Sequence, residues 1–220
     1  MNKGSIKNKD HNRGISLIEL VIAITIMTVL TGILAPMFYK YVEKSQKAKD
    51  VYTADQIARA VNIAFIENPE ALEAFQKWNG YGCTVSVTEN GVKTSYKVYR
   101  VASSGTQDTN KVSNCFNGNT DVFKKENGKA GKSDGSTGFY AVINRELGLS
   151  TTEMNSEIIP KYTKAKEGPL PSGVKSYDEI DRWRIVKREN GMMEIWAAQP
   201  NPGGGYPIYR VWPEPDDEYR

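Results

Sequence analysis

The longest apolar stretch of the chain runs from residue 15 to residue 39 and contains a single charged side chain, Glu19. A helix of these 25 residues is about 37 Å long, which is enough to cross the hydrocarbon core of a bilayer. A charged carboxylate at mid-membrane costs roughly 2.5–3.5 kcal/mol. The pattern therefore predicts a membrane-spanning helix in which Glu19 either has a dedicated positive partner or lies near the interface.

Beyond residue 39 the apolar positions fall three and four residues apart, which is the spacing of an amphipathic helix. The stripe consists of Val51, Ala54, Ile57, Ala58, Val61, Ala64 and Phe65. We predict one helix from Ile15 to near Ile66, with an embedded first half and a second half that packs on a globular domain. Gly32 and Pro36 lie within it, and both a mild kink and a point of local melting are compatible with them.

After this helix, Asn68 is expected to cap a short helix over 69–78. From residue 83 onward the period of the apolar positions changes to two, which is typical of strands. Two segments with a central Glu-Asn-Gly then predict β-hairpins, at 83–102 and 183–198, and a last strand is expected at 206–212. The fold class is therefore α+β, a roll of about five antiparallel strands behind a long helix.

The strand side chains predicted to pack on the helical stripe are Val85, Val87, Trp183, Ile185, Ile195 and Trp196. The polar segment 103–138 is predicted to be a long surface loop, and 160–176, which is rich in proline, an extended loop. Residues 139–147 fit a strand or a short helix equally well.

The residues ahead of the apolar run are basic and end in Arg13-Gly14. Four Lys or Arg side chains against Asp10 give this leader a net charge of +3, which is also the charge of the whole chain. A secretory signal has an apolar core of about 7–15 residues, shorter than this run. A cut after Gly14 would instead remove the leader and leave an α-amino group on Ile15, one helical turn from Glu19.

The sequence Arg13-Gly14, then Ile15-Ser16-Leu17-Ile18-Glu19 and an unbroken apolar helix, resembles the N-terminus of type IV prepilins. The resemblance covers about residues 10–45 and extends to Pro36, although many members have Phe at the position of Ile15. It implies that a prepilin peptidase cuts after Gly14 and N-methylates Ile15. It also implies that Glu19 pairs with the N-terminal amine of a neighbouring subunit during filament assembly.

The resemblance also implies a division of the chain. Residues 1–14 are the cleaved leader, 15–39 the transmembrane and filament-core half of the helix, 40–66 its amphipathic half and 67–220 the globular pilin domain. The precursor is expected in the cytoplasmic membrane with its N-terminus inside, and the mature chain in a filament at the cell surface. The implied partners are the lipid bilayer before assembly, identical or related pilin subunits, the prepilin peptidase and a membrane assembly platform.

Three functions are compatible with the sequence, of which we predict the first and keep the other two as alternatives. The first is a subunit of a surface filament for adhesion or motility. The second is a pseudopilin of a type II secretion or DNA-uptake system. The third is a bitopic membrane-anchored binding protein that does not polymerise. Outside the leader no basic cluster is interleaved with aromatic residues, so nucleic acid is not an expected partner unless the chain is a DNA-uptake pseudopilin.

The residue types limit other chemistry. The only histidine, His11, lies in the leader, so the mature chain has no His-based triad or His metal site. We predict no enzyme activity, no cofactor and no metal site, although the acidic residues 216–218 are compatible with either a loose calcium site or a solvated tail. The only cysteines, Cys83 and Cys115, are expected to form a disulfide, with two reduced thiols as the alternative.

Overall fold

The structure is a computed structural model. It describes residues 16–104, 116–117, 125–126, 129–130, 138–149, 158–163, 180–199 and 206–220. The chain divides into two compact units, which are Met1–Glu43 and Lys44–Arg220. Gly14, Ile15 and Cys115 lie outside the described residues.

The first helix, α1, covers Leu17–Glu67 and is assigned without a break through Gly32 and Pro36. The prediction of one helix from residue 15 to near residue 66 is confirmed over the described part of that range. The kink and the local melting at Gly32 and Pro36 stay predictions.

In the second unit, α1 buries one face against the globular fold. Its buried apolar residues are Ala54, Ile57, Ala58, Ala60, Val61, Ala64 and Phe65. The predicted stripe is confirmed except at Val51, which is only partly buried. Asp50 is an acidic residue, yet it is fully buried on this face of α1, which is otherwise apolar.

Two short helices follow, α2 at Pro69–Lys77 and α3 at Gly138–Glu146. The helical alternative for 139–147 is therefore correct. The prediction for Asn68 is wrong in one respect: it stands at the N-cap position of α2, but its side chain caps nothing. Its Nδ2 instead donates to the carbonyl oxygen of Ala64 at 3.0 Å, which also accepts from the Asn68 backbone N–H at 3.0 Å, because a carbonyl oxygen can accept two hydrogen bonds.

The strands of the described residues are β1 Gly82–Glu89, β2 Val92–Ser104, β3 Phe116–Asn117, β4 Lys125–Glu126, β5 Lys129–Ala130, β6 Arg182–Arg188, β7 Met193–Gln199 and β8 Tyr206–Trp212. The main sheet follows the order β1-β2-β6-β7-β8, and every pairing along it is antiparallel. A short strand, β3, adds to β2, and β4 pairs with β5 separately. The predicted fold of a long helix with about five antiparallel strands is confirmed.

The two Glu-Asn-Gly segments form different turns. Asn90 and Gly91 both have positive φ, 52° and 77°, as a two-residue type I′ turn requires. The second connection is longer, and only Gly191 is left-handed there, with φ of 86°. The same three residue types thus close two hairpins through two backbone geometries.

The prediction of a surface loop over 103–138 is wrong at residues 103–104 and at Phe116. Strand β2 continues to Ser104, and Phe116 pairs with it and is fully buried. The amide of Asn144 on α3 satisfies both backbone groups of Phe116, accepting from its N–H at 2.6 Å and donating to its carbonyl at 3.0 Å. One aromatic side chain with a paired backbone is enough to bury this point of a polar segment.

The sheet has a core on each face. Trp183, Ile185 and Ile195 belong to the core that includes the buried face of α1. A second cluster consists of Val85, Val87, Val98, Val186 and Trp196. The prediction that Val85, Val87 and Trp196 pack on the helical stripe is therefore wrong. Adjacent residues of a strand, such as Ile195 and Trp196, point to opposite faces.

Candidate functional site

Glu19 lies in the first turn of α1, where a carboxylate is favoured by the helix dipole. Its Oε2 accepts a hydrogen bond from the backbone N–H of Ser16 at 2.9 Å, and the Ser16 carbonyl accepts from Leu20 N–H at 3.1 Å. This is the glutamate half of a capping box. Ser16-x-x-Glu19 is a sequence signal of that motif. The prediction of a positively charged partner for Glu19 did not include this backbone contact.

The N-terminal segment of α1 is uncovered. All residues from 16 to 34 are exposed, and Leu17 retains 80% of its surface. Among the described residues, α1 is the one helix long and apolar enough to cross a membrane. An apolar surface of this length is stable only in contact with lipid or with other protein surfaces.

Three threonines lie within this apolar segment, and each hydroxyl finds an acceptor on its own helix. Thr25 donates to the carbonyl of Val21 at 2.7 Å, Thr28 to that of Thr25 at 2.8 Å, and Thr31 to that of Met27 at 2.7 Å. Where no water is present, a hydroxyl must be satisfied internally. The segment is therefore compatible with a dry environment despite its polar side chains.

Comparisons with known proteins identify the N-terminal segment. The family described as the prokaryotic N-terminal methylation motif matches residues 9–35, which include the Gly14–Ile15 bond and Glu19. One curated relative, the type IV major fimbrial protein FimA of Dichelobacter nodosus, is 31% identical over 72 residues, 33% of this chain and 46% of the relative. The N-terminal third of the chain is similar to type IV pilins and carries the prokaryotic N-terminal methylation motif.

A second protein of the same name and organism is 29% identical over 70 residues, 32% of this chain and 44% of the relative. The matches thus span less than half the length of these pilins. No solved structure matches the chain significantly. The motif and the apolar helix together indicate a membrane-anchored precursor.

The cysteine prediction is only partly within the described residues. Cys83 is half-buried on β1, and burial raises the pKa of its thiol, which Arg100 and Arg184 lower in part. Its expected partner, Cys115, lies outside the described residues. The disulfide therefore stays a prediction.

Of the two alternatives for residues 216–218, the solvated tail is wrong. Asp216 is buried and accepts from Thr88 N–H at 3.0 Å. The two carboxylate oxygens of Asp217 accept from Asn90 N–H at 2.9 Å and from Gly91 N–H at 2.7 Å, and these bonds lower the pKa of Asp217. The carboxylates fold back onto backbone donors because the type I′ turn presents two N–H groups side by side.

Glu218 is also engaged, since it accepts from Tyr162 Oη at 2.5 Å and from Lys47 Nζ at 3.1 Å. In the part of the chain that the structure describes, no group of three or more His, Cys, Asp or Glu side chains is placed to hold a metal ion. The three acidic residues act as hydrogen-bond acceptors for protein groups.

Asp50 is a residue that sequence reasoning missed. Its carboxylate accepts from the backbone N–H groups of Lys161, at 2.7 Å, and Tyr162, at 2.9 Å, and from Tyr219 Oη at 3.3 Å. Burial raises the pKa of this carboxyl, while the hydrogen bonds lower it in part. Its position four residues before Ala54 places it on the buried stripe, which is the signal that could have identified it.

Proposed function

We propose that the chain is the precursor of a structural subunit of a type IV pilus-like surface filament that serves adhesion or motility. The observation that carries the proposal is the methylation motif at residues 9–35 joined to an apolar helix segment whose described side chains, from 16 to 34, are exposed. The curated relatives are named type IV major fimbrial proteins, which supports a subunit of a fimbrial filament.

Assembly would proceed in two steps. A prepilin peptidase cuts after Gly14 and methylates the new terminus at Ile15, while residues 15–39 remain in the cytoplasmic membrane with the N-terminus inside. An assembly platform then moves the segment from lipid into a bundle of identical helices, where apolar packing replaces lipid contact. The globular domain lies on the outside of the filament.

Glu19 would set the axial register of that bundle. In the single chain, its carboxylate is held by Ser16 N–H at the helix start. A methylated Ile15 amine of a neighbouring subunit supplies the positive charge that this bond does not. In a bundle without water, an ionised carboxylate without a counter-charge is costly, so subunits in the wrong register are disfavoured.

The test is the N-terminus of the protein found in material sheared from the cell surface, measured by mass spectrometry. A chain that begins at N-methyl-Ile15 in this fraction supports both processing and surface assembly. A chain that begins at Ile15 but stays in the membrane fraction favours a pseudopilin of a secretion or DNA-uptake system. An intact leader contradicts the proposal and leaves the bitopic anchor.

A further inference from the structure

Strands β1 and β8 are the two ends of the main sheet, and in the described strands no backbone ladder joins them. They are linked by side chains instead. Tyr206 Oη of β8 donates to the carbonyl of Thr84 on β1, and Arg210 of β8 forms an ion pair with Glu89 at the end of β1. The seam between the two edge strands therefore depends on individual side-chain contacts.

Residues 216–220, which we call the C-terminal clasp, lie at one end of this seam. Asp216 accepts from Thr88 N–H, and Asp217 holds the N–H groups of both turn residues, Asn90 and Gly91. Arg220 Nη1 adds a bond to Asn90 Oδ1 at 2.9 Å. The clasp thus holds the last residue pairs of β1 and the whole turn of the β1–β2 hairpin.

The other side of the clasp is fixed to the second half of α1. Tyr219 is buried, and its hydroxyl donates to Asp50. Glu218 accepts from Lys47 Nζ, and the Lys47 ammonium also lies 4.6 Å from the centre of the Tyr162 ring. Residues of one short segment therefore connect the helix to the tip of the hairpin.

The hairpin tip has few other attachments. The ladder between β2 and β6 begins at Val98 and Arg188, so residues 92–97 pair only with β1. Val92 keeps 65% of its surface. Outside the clasp, the described side-chain contacts of the tip are made by two residues: Glu89 pairs with Arg210, and Tyr96 donates through Oη to Glu194 and packs its ring against Arg188. Segments with exposed hydrogen bonds and little buried surface are the ones that open at low free energy.

From these contacts we propose that the C-terminal clasp is a latch that releases the turn of the β1–β2 hairpin locally, while β6, β7 and the buried half of α1 stay folded. The latch is a conformational device of the globular domain. It goes beyond the proposed filament function and does not depend on it.

The chain contains a matched internal control, because Glu-Asn-Gly occurs at both 89–91 and 189–191. In the second turn, Gly191 N–H donates to the carbonyl of its own Arg188 at 2.9 Å, and no clasp residue bonds to it. The test is amide hydrogen exchange of the full chain in detergent, with Asp217→Asn as the variant and Glu189→Gln, an exposed change at the second turn, as the control.

We expect the amides of Asn90 and Gly91 to exchange about tenfold faster or more in Asp217→Asn than in the wild type. The amides of Ile185 and Ile195 should keep their protection, and Glu189→Gln should change none of the four. Unchanged exchange at Asn90 and Gly91 would overturn the latch. An equal acceleration at Ile185 and Ile195 would also overturn it, because the opening would then be global.

Discussion

Glu19 has one observed contact and one proposed role in assembly, and the type of side chain alone does not separate them. Its carboxylate accepts from Ser16 N–H, which requires only an acceptor oxygen, whereas pairing with a neighbour's Ile15 amine requires a negative charge. Glutamine retains the acceptor and loses the charge. Variants at this position can therefore distinguish the capping role from the assembly role.

We predict that Glu19→Ala and Glu19→Gln both insert in the membrane and lose the leader normally, yet assemble poorly. Removing one partner of a buried ion pair costs about 3–5 kcal/mol, which corresponds to roughly a hundredfold drop or more in assembled subunit. The measurement is the ratio of mature protein in sheared surface material to that in the membrane. Normal assembly of Glu19→Gln would show that the charge is not needed.

Asp50 allows a second prediction at the residue scale. Asp50→Ala leaves the N–H groups of Lys161 and Tyr162 without their acceptor, and each such buried group costs about 1–3 kcal/mol. We expect a loss of about 3 kcal/mol in the free energy of unfolding of the globular part, measured by urea titration.

The matched control is Asp55→Ala on the same helix. Asp55 forms an exposed ion pair with Arg59 at 2.9 Å, and such pairs contribute about 0–1 kcal/mol. If the two variants lose the same stability, the buried hydrogen bonds of Asp50 contribute nothing beyond those of a surface carboxylate.

At the scale of elements, α1 shows how much of the secondary structure the spacing of apolar residues can predict. An all-apolar stretch and a 3.6-residue stripe lie in one helix, and both were predicted because each leaves a distinct pattern. The strands were predicted from alternation and from Glu-Asn-Gly. Their faces were not, since Ile195 and Trp196 are both apolar and the pattern does not show that β7 is buried on both sides.

The residues of the candidate site also divide into those that a local sequence pattern indicates and those that depend on remote partners. Glu19 and the Gly14–Ile15 bond could be proposed from the sequence because their signals are local. The partners of Asp50 and Asp217 could not be, because residues more than a hundred positions away supply the donors. Phe116 was missed for the same reason, since Asn144 provides the bonds that allow its backbone to be buried.

The two halves of α1 predict opposite results for the same substitution. Ile57 is fully buried, so Ile57→Ala should lower the free energy of unfolding by about 2–5 kcal/mol. Ile24 is 51% exposed in the single chain, so Ile24→Ala should leave unfolding unchanged and reduce the amount of assembled filament. Urea titration and the shearing assay measure the two effects. Equal destabilisation by both would contradict the proposed division of the helix.

At the scale of the whole molecule, we propose that removal of the leader decides whether the apolar segment can leave the membrane. As long as residues 1–14 remain attached, a basic segment with a net charge of +3 precedes the helix, and Ile15 has no free amine for Glu19 to pair with. The uncut chain should therefore stay in the membrane as a bitopic precursor, whatever the stability of its globular domain.

The leader prediction is tested at Gly14. We expect Gly14→Ala to be processed in part and Gly14→Phe to remain as precursor, since a bulky side chain at the cut obstructs the approach of the peptidase to the bond. Gly4→Phe, a matched change in the same leader away from the cut, should be processed normally. Intact mass of the membrane fraction distinguishes the two forms. Normal cutting of Gly14→Phe would mean that the leader is removed elsewhere, and Ile15 would then not be the mature terminus on which assembly depends.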